Sequence, residues 1–269
     1  MQTKFLLVII IVFFFIPFAN AQDNYYNNKF TYKVKHQLDR SENPVIIKEN
    51  MLLLTGNNKS MYISPVKVKI DSARAVIKKN RKSIYELRNL KNKLPKNSIK
   101  KVFEKEVSST TIRETVVYKN VEFYYDVPKP SFQWKIKTEE KKILNYNCQK
   151  AILNYKGRDY IAWFTDEIAL QEGPWKFSGL PGLIMEIYDT KKQFTFKLIG
   201  VKKENKPFPK SGLKKYKTTE NGVVDAIDNF LKSMESRLLG ASKERFRKKR
   251  LSIKNENKKG NTNPIELEN

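Results

Sequence analysis

Apolar residues at every second position recur along most of this chain, and no other feature restricts its fold so strongly. Phe30-Thr31-Tyr32-Lys33-Val34-Lys35-His36-Gln37-Leu38 alternates apolar with polar, the pattern of a half-buried antiparallel strand. Met51–Thr55 and Ser60–Ile63 flank Gly56-Asn57-Asn58, which predicts a hairpin. Thr115–Tyr118 and Val121–Tyr125 flank Lys119-Asn120, and Cys148–Leu153 and Arg158–Phe164 flank Lys156-Gly157. Phe132–Ile136 and Gln193–Ile199 alternate again. Strands joined by turns this short pair antiparallel. Two stretches have the longer period of helices. Ile70, Ala73, Ile77, Ile84, Leu87 and Leu90 predict one amphipathic helix with a basic outer face, capped by Asp71 or Ser72. Val223, Val224, Ile227, Leu231, Met234 and Leu238 predict a second, capped by Thr219 or Asn221 and ended or weakened by Gly240. Lys91–Lys100 and Lys202–Lys217 read as basic connections. The expected class is α+β, mainly antiparallel β: a strongly curved sheet or half-barrel with two or more packed helices.

The segment Gly173–Ile187, GPWKFSGLPGLIMEI, stands apart from this pattern. Pro181-Gly182 is a turn dipeptide in which proline fixes φ and glycine supplies a positive φ. Gly179 belongs to the same turn region. Behind it, Leu183–Tyr188 is apolar but for Glu186, which predicts a strand covered on both faces. Trp175 and Phe177 lie two apart and project to one side of an extended chain. Two readings of these rings follow: they plug a core, or they rim a concave ligand site together with Trp163, Asp166, Leu180 and Pro181. Asp166 and Glu167 are adjacent, so on a strand they point to opposite faces; they pair with Arg158, bind a cation, or sit in a solvated turn.

Gly179-Leu180-Pro181-Gly182-Leu183-Ile184, with Tyr146-Asn147-Cys148-Gln149-Lys150-Ala151 and Ala162-Trp163-Phe164-Thr165-Asp166-Glu167-Ile168 before it, resembles the GLPGLI family. The resemblance implies an exported protein of the Bacteroides group with no established biochemical activity. The order of hairpins, helix, hairpins and late helix also resembles the half-barrel of periplasmic lipoprotein carriers, an analogy of fold only.

The address agrees with that family. Lys4, an apolar run from Phe5 to Phe18, and Ala19-Asn20-Ala21 form a secretory leader, so maturation is expected to leave Gln22 first, without a lipid anchor. Residues 22–250 are expected to form one β-rich domain and residues 251–269 a polar, flexible tail. No later segment is apolar for long enough to span a bilayer. The lone cysteine, Cys148, has no internal disulfide partner and reads as a small buried hydrophobe. Two readings of the net charge of +25 follow: lysines scattered over nearly every segment solvate the surface, or they favour anionic membrane surfaces or acidic partners; export argues against nucleic acid.

Catalytic signatures are missing from the sequence. The single histidine, His36, lies on the apolar face of its strand, and no nucleophile-elbow, zinc, P-loop or dinucleotide motif occurs. The expectation is therefore a non-enzymatic exported protein that binds an apolar ligand or an envelope partner, with no cofactor and no metal. The rivals are an envelope hydrolase or peptidase with dispersed residues, and an accessory subunit of an outer-membrane transport complex that docks through its basic helix and tail.

Overall fold

The computed structural model describes residues 24–39, 41–81, 83–95 and 99–258. Residues 1–23, where a leader and its cleavage site are expected, and residues 259–269 lie outside them. In chain order the elements are β1 (Tyr25–Gln37), β2 (Ile46–Thr55), β3 (Lys59–Ile63), α1 (Pro65–Lys79), α2 (Ile84–Lys93), β4 (Lys101–Glu106), β5 (Thr111–Tyr118) and β6 (Val121–Pro128). Then follow β7 (Lys135–Ile143), β8 (Tyr146–Tyr155), β9 (Arg158–Thr165), β10 (Leu183–Asp189), β11 (Phe194–Pro207), β12 (Lys214–Lys217), α3 (Val223–Glu235) and α4 (Gly240–Lys258). Among the described residues the twelve strands form one sheet, ordered β12-β6-β5-β4-β3-β2-β1-β11-β10-β9-β8-β7. Every pairing is antiparallel except that of β12 with β6, which is parallel. The sheet is curved and mostly antiparallel, as the alternation predicts.

Its curvature follows from one contact chain. In sheet order β4 and β9 are six strand spacings apart, about 29 Å in a flat sheet. Yet Phe103 of β4 lies 6.1 Å from Trp175, Trp175 lies 5.0 Å from Phe177, and Phe177 lies 5.0 Å from Tyr160 of β9, centroid to centroid. The sheet therefore curls around the segment between β9 and β10. Its inner face carries Phe30, Tyr32, Met51, Leu53, Tyr62, Ile112, Ala162, Phe164 and Phe196 into one core. On the outer face Leu52, Leu54, Met61, Ile63 and Val102 form a second cluster under Val68 of α1. Strand β2 is thus covered on both sides, which explains the unbroken run Met51-Leu52-Leu53-Leu54.

Several elements depart from the sequence reading. The helix expected from Ile70 to Leu90 is two helices. The first starts earlier, because Ser64 caps it through the Val66 N–H at 3.2 Å and Pro65 occupies the first turn. It ends at Asn80, Arg81 takes φ 51°, and Ser83 caps the second helix. Asp71, read as a cap, is instead buried in the helix between Lys67 at 2.7 Å and Arg74 at 2.6 Å. Lys67 also reaches Glu122 of β6 at 2.7 Å, which fastens α1 to the sheet. Phe132–Trp134 is not strand; Pro128 and Pro130 lack the donors a ladder needs. The segment 129–134 crosses over the core and lays Phe132 5.5 Å from Phe177. The connection at 202–217 contains the end of β11 and all of β12. Gly222 and not Thr219 or Asn221 caps α3, with no side-chain bond. Gly240 opens α4 at φ 52°, and α4 continues to Lys258, into the stretch read as tail.

Candidate functional site

The motif segment, residues 166–182, folds inward. Trp175, Phe177 and Leu180 are buried, Phe177 completely. Trp175 takes φ 57°, an unusual conformation for a bulky side chain, and so turns its ring towards Phe103. Of the two readings of these rings, a core plug or a rim, Trp175 and Phe177 take the first and fill the inside of the sheet. Two ion pairs hold them there. Lys176 meets Glu114 of β5 at 2.5 Å, both buried, and Lys101 and the Tyr125 hydroxyl approach the same carboxylate at 3.2 and 2.8 Å. Burial alone would push the Glu114 carboxyl up; Lys101, Lys176 and the hydrogen bonds from Lys176 and Tyr125 outweigh it and hold the carboxyl below its usual range. Glu172 pairs with Lys105 of β4 and accepts from the Ser60 hydroxyl at 3.0 Å. The Tyr32 hydroxyl donates to the Ile184 carbonyl at 2.6 Å, and the Trp134 indole to the Ser178 carbonyl at 2.9 Å. The loop between β9 and β10 is thereby joined to β3, β4 and β5 across the curl.

Gly182 sits at φ 153°, and a Cβ there would lie 2.0 Å from the Thr165 carbonyl oxygen. Glycine is required chiefly because two backbones touch, and only secondarily by the turn. Gly179 has φ 88° with open space around it. Pro181, Gly179 and Asp166 are exposed. Glu167 accepts from the Asn147 N–H at 2.7 Å. Arg158 joins neither Asp166 nor Glu167: it pairs with Asp189 at 3.4 Å and Gln193 at 2.9 Å and covers the Phe194 ring at 4.6 Å. His36 packs 4.5 Å from the same Phe194 ring.

The outer face of the same strands is different. Across it run Lys197, Glu186, Trp163 and Lys150 as cross-strand neighbours on β11, β10, β9 and β8. The β7–β8 hairpin bends over this row, aided by an irregularity between Ile136 and Glu140. Lys141 pairs with Glu186 and stands 4.3 Å above the half-buried Trp163 ring. The Trp163 indole N–H is buried with no acceptor among the described residues. Between the hairpin and β10–β11 lies a pocket of about 440 Å³ lined by Lys141, Lys142, Ile143, Leu144, Glu186, Lys197, Leu198 and Ile199. Leu144 and Ile199 are exposed at it. Cys148, beside Lys141 in the hairpin, is buried, and burial pushes its thiol up to about 11.

Of the residues singled out from sequence, the structure brings Trp163 beneath Lys141, behind the pocket's lining, Trp175, Phe177 and Leu180 to the core, and Pro181 and Asp166 to the surface. Lys141 and Lys197 were not singled out. The one legible sign was Glu186, a carboxylate inside an apolar run. Among the described residues no cluster of three or more His, Cys, Asp or Glu side chains is placed to hold a metal ion, and no helix is long and apolar enough to cross a membrane.

Comparison with known proteins adds little chemistry. The family described as "Protein of unknown function (Porph_ging)" matches residues 154–186, from the end of β8 through the motif into β10. No curated protein matches the chain. The solved structure of PNGF-II in its P21 crystal form is similar with a TM-score of 0.53 at 16% identity, over 75% of this chain and 33% of that one. Its C2 form gives 0.52 at 17% identity, over 75% and 32%. This chain thus spans about a third of PNGF-II, and the likeness is one of fold. A LolA superfamily protein from Nitrosomonas europaea aligns over 68% of this chain and 88% of its own at 8% identity and a TM-score of 0.29, too slight to argue from. What stands is a likeness, over the motif, to an uncharacterised family, on a sheet whose architecture PNGF-II shares.

Proposed function

We propose that the protein is an exported, non-enzymatic binding protein of the cell envelope and a member of the GLPGLI family, and that its binding site is the outer-face pocket. The observation that carries this reading is the pocket of about 440 Å³, with Ile143, Leu144 and Ile199 as its apolar side chains and Lys141, Lys142 and Lys197 around them. Apolar walls with a few placed charges are the general character of ligand sites. Such a pocket suits an acyl or other apolar group attached to an anion, or the apolar side chain of an envelope partner. The motif's part is to fix the pocket's wall: it fills the inner side of β9 and β10, so that the outer side is held in one shape.

The test is mass spectrometry of the protein purified from its native envelope, beside a variant carrying Leu144→Asp and Ile199→Asp. Both residues are exposed, so the variant keeps its fold. The reading expects a co-purified lipid, peptide or protein that the variant loses. It is overturned by a protein that carries nothing, or by a companion retained equally by both forms. Intact mass in the same experiment reads the start of the chain, expected at Gln22.

A further inference from the structure

The short turns at the two ends of the strands differ in charge. At one end lie the turns β2–β3 (residues 56–58), β4–β5 (107–110) and β7–β8 (144–145), and none of their residues is charged. At the other end lie β1–β2 (38–45), β5–β6 (119–120), β8–β9 (156–157) and β10–β11 (190–193). Three of these turns carry Lys119, Lys156, Lys191 and Lys192, all exposed. The fourth carries Leu38, Val45 and Ile46, also exposed, Val45 at 58%. Lys35 and Lys48 flank that tip, and Lys35 donates to the Lys192 carbonyl at 3.2 Å, so the β1–β2 tip and the β10–β11 turn adjoin. The acids at this end are few: Asp39 is engaged with the Ser41 and Val45 amides at 3.0 and 3.1 Å and Asp159 accepts from Asn154 at 2.7 Å, which leaves Glu42 and, on α4, Glu244. At the β5–β6 turn the Lys119 ammonium lies 4.9 Å from the Phe246 ring. That contact brings α4 alongside, with exposed Lys243, Arg245, Arg247 and Lys248.

Lys119, Lys156 and Lys192 have φ of 53°, 45° and 53°. Such turn positions favour glycine, asparagine or aspartate, because a left-handed residue with a Cβ is disfavoured. At the opposite end the β7–β8 turn has Leu144 at φ 50° in the position of Lys156, followed by Asn145 at φ 69° in that of Gly157. Leucine fills this conformation at the uncharged turn, so the conformation itself does not demand lysine; Lys119 and Lys156 also cover the Tyr118 and Tyr155 rings at 5.7 and 5.8 Å.

We propose that this rim is a docking face for a lipid bilayer bearing anionic headgroups. A curled sheet ends in a ring of turns, and a ring of turns rests on a plane. The lysines are spread over turns from both halves of the curl and surround no groove, which suits an extended charged surface better than a compact acidic protein. The aliphatic tip between lysines supplies the shallow apolar insertion that membrane-surface segments use. The proposal is independent of the pocket, since Leu144 lies at the opposite end of the strands.

The experiment is co-sedimentation of the protein, as cells release it, with vesicles of phosphatidylcholine alone or of phosphatidylcholine mixed with phosphatidylglycerol. Binding is expected only to the mixed vesicles and is expected to fall steeply as salt is added. The triple variant Lys119→Asn, Lys156→Asn, Lys192→Asn keeps residues that favour these turns, so its melting temperature holds or rises. Its vesicle affinity should drop by about fivefold per lysine, roughly a hundredfold in all. Val45→Asp should lower affinity without altering the melt. Equal binding to neutral vesicles, an unchanged affinity in the triple variant, or retention by a soluble polyglutamate with no vesicle association would each overturn the proposal. The salt titration on the unaltered protein tests it without any variant.

Discussion

Phe164 and Trp163 are consecutive on β9 and face opposite ways, and their surroundings differ in kind. Phe164 looks inward onto a core that the chain fills with its own motif, where ion pairs are buried and backbones touch. Trp163 looks outward under a single lysine beside a pocket, with its N–H lacking an acceptor among the described residues. The inner face has little freedom left; the outer face keeps polar and apolar groups open to a ligand. One strand can therefore hold the fold with one side and offer a site with the other, and substitutions should separate the two roles.

The largest effect should come from the inner side. Gly182→Val puts a Cβ about where the Thr165 carbonyl oxygen stands, backbone against backbone, with no flexible side chain to yield. A loss of more than about 4 kcal/mol in chemical denaturation is expected. Gly179→Ala, in open space at φ 88°, should cost only about 1 kcal/mol. Equal losses at the two glycines would show that the turn, and not the close approach, is what the motif needs.

Next in size is the buried pair. Lys176→Met leaves Glu114 inside with fewer cations and should cost about 3 kcal/mol, whereas adding Glu114→Gln should recover part of it. The same carboxylate sets a pH dependence. Its folded pKa lies below the ordinary 4.5, so its contribution is complete above that value and is lost as pH falls through the folded pKa. Glu114→Gln should flatten this part of the acid limb in a denaturation-versus-pH series. An acid limb identical to that of the unaltered protein would remove Glu114 from the account.

Much of this architecture was legible because period two survives wherever one face is buried. β1, β2, β3, β5, β6, β8, β9, β10 and β11 all lie where alternation or an apolar run placed strands. β7, with the sequence KIKTEEKKI, was not, because it is an edge strand exposed over most of its length and has no buried face to write a pattern. β12, the opposite edge, is short and lysine-rich for the same reason; β4 lies inside the sheet with Val102, Phe103 and Lys105 buried, and two adjacent apolar residues among charges write no alternation. The motif was legible as a turn and as a cluster of rings. Whether the rings face in or out was not, since the answer depends on Glu114 and Lys105, far off in sequence, and on a left-handed Trp175 that no extended-chain argument anticipates. The pocket was illegible because half of its wall is β7 and the turn that follows it.

A smaller effect is expected at Cys148, on the outer side under the hairpin. Its thiol is buried and burial raises it to about 11, so the reactive thiolate is scarce at neutral pH. Folded protein should label slowly with a small maleimide and quickly after unfolding. Cys148→Ala should cost about 1 kcal/mol as a lost core sulfur. Fast labelling of the folded form would mean that the hairpin opens, and the outer pocket with it.

The smallest change in stability should come from Trp163→Phe, and it is the one that separates the two faces most cleanly. The substitution keeps a ring beneath Lys141, so the cation–ring contact weakens without vanishing. It also removes a buried N–H that has no acceptor among the described residues, which relieves a desolvation cost of about 1 kcal/mol. The two terms nearly cancel, and the melting temperature should stay level or rise slightly. Binding responds differently if the pocket is the site, because the indole supports Lys141, which with its partner Glu186 lines the pocket. A companion molecule recovered with the unaltered protein should then bind the variant more weakly while the fold is undisturbed. Should the variant melt several degrees lower, the N–H has a structural partner and the outer face is bound up in the fold as fully as the inner one. Should it bind its companion with unchanged affinity, the indole's support of Lys141 is no part of the site, and recognition there rests on Leu144, Ile199 and the lysines alone.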